Sequence, residues 1–227
     1  MTSIPADQHK SECIAKMGAK LGTLFAELWQ DVAFLHGKWQ EFVELYGINK
    51  NRIELLNDAA PTFFGHLQDI LWEDMLIGLS RLVDPEKSAG RTNLTLQALP
   101  DLVDDQSLKD AIVPMIHEAM KLTEFTRDWR NRRIAHRDLE LAISDHAQPL
   151  KSGSRQDVRA ALTSIDSVLN KIQAHYLDSE TKFDAPIFYA GAVLLLRVLH
   201  DGVREGQERE ERHARGEFLE RDMPPQL

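Results

Sequence analysis

The stretch TEFTRDWRNRRIAHRDLE, residues 123–140, is a cluster of basic residues in an acidic chain. The whole chain has 227 residues and a formal net charge of −9. Five arginines accompany one histidine in this stretch: Arg127, Arg130, Arg132, Arg133, Arg137 and His136. Because the chain is acidic on balance, the cluster is a local feature and indicates a specific partner for these side chains.

The arginines continue a helical pattern that predicts one helix over residues 107–137. At about 100° per residue, Ala119 and Leu122 share a helix face on which Arg130 and Arg133 also fall. Half-buried guanidinium groups are costly unless they are paired. We therefore expect this end of the helix to meet carboxylates, water in a cleft, a second subunit or an anionic ligand. A simpler alternative is that the arginines only cap a helix C-terminus.

Two segments of the sequence are similar to motifs of the HEPN superfamily. The first runs from Arg130 to His136 with the R-x(4–6)-H spacing, and the polar Asn131 directly follows the arginine. The second is RLVDP at residues 81–85, followed by NLTL at residues 93–96. Together the two segments resemble the abortive-infection, AbiU-type HEPN domains.

The resemblance implies an all-α fold, an up-and-down helical bundle with long antiparallel helices. Many HEPN domains are metal-independent endoribonucleases that form homodimers, with motif residues from two subunits in one cleft. Others have lost activity and bind RNA or assemble with proteins. By resemblance, His136 is the catalytic acid/base group, Arg130 the phosphate ligand and Asn131 a supporting polar group. Four further arginines are candidate ligands of RNA phosphates: Arg127, Arg132, Arg133 and Arg137.

The residue types fit cleavage of RNA without a metal or another cofactor. A histidine titrates near neutral pH and can exchange a proton with the 2′-hydroxyl, the nucleophile that RNA itself carries. An arginine can hold two phosphate oxygens and stabilise the charge that develops on them. DNA lacks the 2′-hydroxyl, so this mechanism would cut RNA only.

The positions of the two motif residues raise a geometrical question. On a straight helix, Arg130 and His136 lie roughly 120° apart around the axis. Either the helix loosens before His136, or the pair is completed across a dimer. If neither holds, Arg133 becomes the better phosphate ligand.

Three functions remain open at this point. The first is a toxin-like endoribonuclease of bacterial defence that cuts RNA and has a possible antitoxin or other defence-system partner. The second is a non-catalytic module that binds RNA or a protein. The third is a plain helical bundle whose arginines pair internally with Asp128, Asp138, Glu140 or carboxylates of the central helix. We take the first as the working hypothesis.

Composition narrows the class of protein. The single Cys13 excludes an intramolecular disulfide framework and fits a reducing cytosol, so we expect a cytoplasmic protein with no membrane partner. No signal peptide is evident, and the apolar run at residues 187–199 is too short to span a bilayer. A pI near 5.5 argues against a general nucleic-acid coat but leaves room for a local RNA site. No Glu-x-x-His pair lies in the predicted core helices, so we expect no metal site.

Periodicity organises the rest of the chain. We expect a polar N-terminal segment at residues 1–20, a single helical domain at residues 21–212 and a charged, disordered tail at residues 213–227. Amphipathic helices are predicted over residues 21–46 and 154–176, the second opening with a Ser154-x-x-Asp157 capping box.

Two further helices and a loop complete the prediction. A central helix is expected from Pro61 to the Asp84-Pro85 stop. Its predicted apolar face consists of Phe63, Phe64, Leu67, Ile70, Leu71, Met75, Leu79 and Leu82. A last helix is expected from Pro186, with its apolar run either fully buried or half of a subunit interface. Residues 138–152 are predicted as a loop, with at most a short extended piece at residues 139–143.

Overall fold

The structure, a computed structural model, describes residues 5–88, 90–144, 146–185, 191–219 and 222. Its α-helices, in chain order, are α1 (Ala6–Met17), α2 (Ala19–Tyr46), α3 (Lys50–Ala59), α4 (Pro61–Leu82), α5 (Gln106–Leu122), α6 (Glu124–Trp129), α7 (Leu139–Ile143), α8 (Arg155–Leu177) and α9 (Ala192–Ala214). A small antiparallel hairpin pairs β1 (Lys87–Ser88) with β2 (Arg91–Thr92), and a 3-10 turn follows at Leu96–Ala98. The predicted all-α class is confirmed.

The first of two compact units contains the described residues of Met1–Trp39 and Leu71–Ala185. In this unit α5 packs against α8, because each helix has an apolar stripe at helical spacing. The predicted capping box opens α8: the Ser154 hydroxyl accepts the Asp157 N–H at 3.2 Å, and the Asp157 carboxylate accepts the Ser154 N–H at 2.8 Å. The residues predicted to face inward on α8 are all buried: Val158, Ala161, Leu162, Ile165, Val168, Leu169 and Ile172.

A polar contact inside the first unit joins α2 to α8. His36 Nε2 lies 2.8 Å from the Asp166 carboxylate, and the His36 side chain is only 8% exposed. The His36 ring stacks on Phe183, with ring centroids 5.7 Å apart. Burial raises the pKa of the Asp166 carboxyl, although its hydrogen bond to His36 acts in the opposite direction. The pair therefore fastens two helices that are far apart in the sequence.

The second unit contains Gln40–Ile70 and the described residues of Pro186–Leu227. Here α9 packs against α3 and buries Ala192 and Leu196. Asn49 caps α3, since its side chain accepts the Arg52 N–H at 3.1 Å. The Glu41 carboxylate accepts the Ala192 N–H at the start of α9. Both helices therefore begin with a backbone donor satisfied by a side chain.

The predicted helix over residues 107–137 is divided in the structure. α5 ends at Leu122 and α6 begins at Glu124. The Thr123 hydroxyl between them donates to the Ala119 carbonyl oxygen at 2.7 Å, and such side-chain bonds compete with regular helical pairing. Pro114 lies inside α5 without ending it.

The extended piece predicted at residues 139–143 is instead the short helix α7. Asp138 caps this helix, because its carboxylate accepts the Leu141 N–H at 3.0 Å. The prediction was wrong because it assigned Asp138 no capping role.

Two helices expose apolar residues that the sequence predicts to be covered. On α4, Phe63 and Ile70 are 61% and 62% exposed, whereas Met75 and Leu79 further along are buried. On α9, Leu194, Leu195 and Val198 are exposed. The prediction that the apolar run of the last helix is fully buried is therefore wrong for its described residues. The alternative, that this run forms half of a subunit interface, stays a prediction. The predicted start at Pro186 and residues 187–190 lie outside the described residues.

The predicted domain limits also stay a prediction. α1 falls within the predicted N-terminal segment, and α9 ends at Ala214. Residues 220, 221 and 223–227 of the predicted tail lie outside the described residues.

Candidate functional site

The motif begins on a loosened helical turn. After α6, residues Arg130–Ile134 form a π-helical turn in which the Ala135 N–H donates to the Arg130 carbonyl oxygen at 2.8 Å. The Asp138 N–H then donates to the Arg132 carbonyl oxygen at 3.0 Å. Such turns are rare and occur frequently at functional sites. The helix therefore does loosen before His136, which is one of the possibilities left open by the sequence.

Arg130 is held by a carboxylate at the end of α4. Its Nη1 lies 2.9 and 2.7 Å from the two carboxylate oxygens of Asp84 and 3.5 Å from the Ser80 hydroxyl. The Arg130 and Asp84 side chains are 24% and 19% exposed. Arg130 Nε also donates to the Asn131 side-chain oxygen at 3.2 Å. The predicted phosphate ligand and its polar neighbour are thus in contact, with the guanidinium charge balanced by Asp84.

Arg127 strengthens the attachment to the same helix end. Its Nη2 donates to the Val83 carbonyl oxygen at 3.2 Å and lies 3.9 Å from the Asp84 carboxylate. Gln97 donates to the same carbonyl oxygen at 2.7 Å. Carbonyl groups at a helix C-terminus lack intrahelical partners and favour nearby cations. Arg127, a predicted RNA ligand, caps α4 in this structure.

Arg132 fastens the residues that follow the motif. Its guanidinium lies 3.3 Å from the Asp138 carboxylate and 3.8 Å from that of Asp128, and it donates to the Gln148 carbonyl oxygen at 2.7 Å. The pKa of Asp138 is lowered, first by the hydrogen bond from the Leu141 N–H and further by Arg132. Asp138 therefore stays ionised beside the motif at neutral pH.

A basic cleft of about 370 Å³ lies beside the π-helical turn. Its described lining residues are Glu73, Arg132, Arg133, Arg137, Asp138, Leu141 and Ala142. Three arginines against two carboxylates give this lining a formal charge of +1, opposite in sign to the −9 of the chain. The cleft is therefore the place in the motif region where an anion would be favoured.

Two of the three arginines of this cleft, Arg133 and Arg137, are loosely held, unlike Arg132. Arg133 Nε lies 3.7 Å from Glu73, and its side chain is 55% exposed. The Arg133 guanidinium also lies over Trp129, 5.5 Å from the ring centroid. Arg137 makes no hydrogen bond or ion pair with any residue that the structure describes. These two arginines are therefore better placed to exchange their present surroundings for a phosphate than Arg130 is.

His136 has an exposed side chain and is not among the described lining residues of the cleft. It makes no hydrogen bond or ion pair within the described ranges. Arg130 is directed to Asp84, so the described contacts do not join it to His136. Completion across a dimer, and Arg133 as the phosphate ligand, both remain compatible with this geometry.

One carboxylate at the site is not named in its role by the sequence, since Asp84 is predicted only as a helix stop. Glu73 is one of the carboxylates of the central helix that the third hypothesis gives as partners of the arginines. The pairing of motif arginines with Asp128, Asp138 and a carboxylate of the central helix is predicted correctly. Glu140 makes no such pair with described residues. The available signal for Asp84 was its place in the RLVDP segment that accompanies the motif.

Metal and membrane features are also absent from the described part of the chain. There, no three His, Cys, Asp or Glu side chains form a group that could hold a metal ion. Nor is any helix, among those same residues, both long and apolar enough to cross a bilayer.

Comparison with known proteins places most of the chain in one family. The model of the HEPN domain family AbiU2 matches residues 18–189, which is more than half of the chain. The matched range includes RLVDP, the π-helical turn and His136. No curated protein and no solved structure matches the sequence.

Proposed function

Because the chain belongs to the HEPN AbiU2 family, we propose that it is a metal-independent endoribonuclease of bacterial defence that acts as a homodimer. The observation that carries this proposal is the cleft lined by Arg132, Arg133 and Arg137 in a chain of opposite net charge. An RNA backbone is polyanionic and is attracted to such clusters. His136 lies next to Arg137 in the sequence and is exposed, so it is accessible to RNA.

In the proposed reaction, RNA supplies its own nucleophile. His136 accepts the proton of the 2′-hydroxyl, and the 2′-oxygen attacks the adjacent phosphorus. The bond between phosphorus and the 5′-oxygen breaks, and the 5′-oxygen takes up a proton from water. His136 then returns its proton to the solvent. The products carry a 2′,3′-cyclic phosphate and a 5′-hydroxyl. Arg133 and Arg137 stabilise the negative charge that develops on the phosphate oxygens.

The homodimer is part of the proposal because one subunit does not unite all motif residues in its cleft. Arg130 is engaged by Asp84, and His136 is absent from the described lining of the cleft. In a dimer, the cleft of one subunit receives His136 of the partner subunit. Arg130 then keeps Asn131 in place from within its own subunit. A defence-system partner such as an antitoxin would restrain the nuclease in healthy cells.

The test is cleavage of a mixed RNA substrate in the presence of EDTA. We expect the wild-type protein to produce cyclic-phosphate ends and His136→Ala to produce none, with unchanged thermal unfolding. His146→Ala is the matched control, since His146 is an exposed histidine in the same segment. Cleavage by His136→Ala, or cleavage that depends on added Mg²⁺, would contradict the proposed mechanism.

A second candidate function is RNA binding without cleavage. The contact that favours it is the Arg130–Asp84 pair, in which a carboxylate of the chain already occupies the predicted phosphate ligand. Salt-dependent RNA binding that requires Arg133, with no product formed, would support this alternative. Unchanged binding after removal of both Arg133 and Arg137 would exclude it.

A further inference from the structure

A second polar cavity lies between α3 and α9, within the second unit. Its volume is about 470 Å³, which is in the range of small-molecule sites. Its described lining residues are Arg52, Val193, Leu196, Arg197, His200 and Asp201. None of them lines the basic cleft beside the π-helical turn, and those on α9 follow residue 189, where the family match ends. The cavity is therefore a feature separate from the HEPN motif.

One face of α9 forms most of this cavity. Val193, Arg197 and Asp201 follow one another at intervals of four residues, and Leu196 and His200 lie beside them on the same face. The face lies toward α3, against which α9 packs. Leu196 is only 7% exposed. The cavity thus combines charged groups with an apolar surface.

Arg197 has all of its donors available. Its side chain is exposed, and it makes no hydrogen bond or ion pair with any residue that the structure describes. A guanidinium group carries five N–H donors in a planar fork that matches two oxygens of one anion. Arg197 is therefore free to bind a ligand that carries such a group.

Arg52 approaches the cavity from α3 and is held in place from behind. Its Nη1 donates to the Glu44 carbonyl oxygen at 2.6 Å and also to the Glu44 carboxylate. Its Nε and Nη2 make no hydrogen bond to the described residues. The side chain is 26% exposed, and Glu44 is not among the described lining residues. Glu44 therefore orients the guanidinium and leaves donors for a ligand.

The charges of the lining favour an anion. Arg52 and Arg197 outnumber the single lining carboxylate, Asp201, in a chain whose net charge is −9. Asp201 lies 3.3 Å from His200 Nδ1, so the Nε2 atom of His200 is left to contact a ligand. The Asp201 carboxylate can accept a hydrogen bond from a hydroxyl group of the same ligand.

We propose that this cavity binds a small phosphate monoester of about the size of a mononucleotide. Arg197 holds two phosphate oxygens, and Arg52 and His200 donate to the phosphate from the sides. The organic part of the ligand packs on Val193 and Leu196. A phosphate monoester fits better than a carboxylate, because its three terminal oxygens match three separate donor groups. The site adds to the proposed function and does not depend on RNA cleavage.

The first test is isothermal titration of the full chain at low salt with adenosine 5′-monophosphate (AMP), inorganic phosphate and adenosine. We expect AMP to bind about fivefold more tightly than inorganic phosphate, because its organic part covers apolar surface. Adenosine is expected not to bind, since it lacks the phosphate. A wild type that does not bind AMP, or that binds adenosine as tightly as AMP, would overturn the proposal.

The second test locates the bound AMP. Arg197→Gln should weaken AMP binding by about tenfold or more. Arg209→Gln is the matched control, because Arg209 is also an exposed arginine of α9 without an ion pair to the described residues, and it does not line the cavity. Arg133→Gln probes the basic cleft and should leave AMP binding unchanged. Loss of binding in Arg133→Gln but not in Arg197→Gln would overturn the assignment. Circular dichroism checks that each variant keeps the helical fold.

The third test uses a charge change of the opposite sign. Asp201→Asn removes the lining carboxylate and should tighten binding of inorganic phosphate by about threefold. Glu210→Gln makes the same kind of change at an exposed position of α9 that does not line the cavity, and should have no effect. Equal affinities for Asp201→Asn and the wild type would contradict a phosphate in this cavity.

RNA cleavage, measured on the same samples, separates this inference from the proposed function. A wild type that binds AMP through Arg197 but cuts no RNA would support the site and contradict the nuclease. A wild type that cuts RNA but does not bind AMP would contradict the site alone.

Discussion

Replacing Asp84 with asparagine measures how firmly the motif is fixed to the end of α4. Asp84 accepts two hydrogen bonds from Arg130, at 2.9 and 2.7 Å, and lies 3.9 Å from Arg127. Asparagine has nearly the same shape but carries no charge. The substitution therefore removes the ionic attraction and one accepting oxygen, and it leaves the Arg130 guanidinium without its counter-charge.

The expected loss of stability follows from the exposure of the pair. Breaking a fully buried ion pair costs about 3–5 kcal/mol, whereas an exposed pair contributes about 0–1 kcal/mol. The Arg130 and Asp84 side chains are 24% and 19% exposed, which places the pair between these limits. We expect Asp84→Asn to lower the free energy of unfolding by about 2 kcal/mol. For a chain of this size, the corresponding fall in Tm is about 4–8 °C.

Thermal unfolding followed by circular dichroism checks this value against a matched variant. Asp31→Asn removes the partner of Arg81, which lies 3.3 Å away, but these side chains are 39% and 62% exposed. We expect that change to cost less than about 0.5 kcal/mol. Equal shifts of Tm for Asp84→Asn and Asp31→Asn would refute the reasoning. Reduced RNA cleavage by Asp84→Asn would indicate, in addition, that the reaction requires Arg130 to be held in this position.

Two further predictions concern the cleft and the core. Arg137→Ala should reduce the slope of the logarithm of the RNA-binding constant against the logarithm of the salt concentration by about 0.7–1, without changing Tm. Arg81→Ala, the control, should leave this slope unchanged. Equal slopes for the wild type and both variants would contradict a contact between Arg137 and a phosphate. Burial raises the pKa of the Cys13 thiol from 9.0 to about 11. A raised folded-state pKa contributes stability below pH 9 that is lost as pH rises toward 11, so urea unfolding should show a larger loss between pH 8 and 10.5 for wild type than for Cys13→Ala. Equal losses of unfolding free energy in the wild type and in Cys13→Ala would contradict a raised pKa of the Cys13 thiol.

Elements whose determinants are local could be predicted from the sequence. The α2 and α8 helices follow from apolar residues at spacings of three and four, and the capping box of α8 involves Ser154 and Asp157, three positions apart. Even the need for a counter-charge at Arg130 follows from its place on a helix face that turns inward. Such sequence patterns predict only the local geometry of a few helical turns.

The remaining features depend on contacts that no local pattern contains. Asp84 and Arg130 are 46 residues apart, so their pairing depends on how α4 and the motif meet in space. The π-helical turn depends on which carbonyl oxygen the Ala135 N–H reaches. The same amino-acid sequence is compatible with both the α-helical and the π-helical hydrogen-bond pattern. On α4, the apolar Phe63 and Ile70 match the helical period, yet nothing described covers them. Periodicity shows which residues could be buried, not which helix faces find a partner.

The packing of α5 against α8 has a consequence for how the sequence of this protein can evolve. Residues 123–154 leave the packed pair at the end of α5 and return to it at the start of α8, so both ends of the segment are fixed by the core. The exposed residues of this segment, among them Arg133, His136 and Arg137, contribute little to the core. Substitutions there can alter ligand preference at low cost in stability, because surface changes usually shift stability by no more than about 0.5 kcal/mol. The fold thus provides a stable frame on which the exposed residues of this segment can be replaced, whereas Arg130 and the buried Phe125 cannot be replaced at so low a cost.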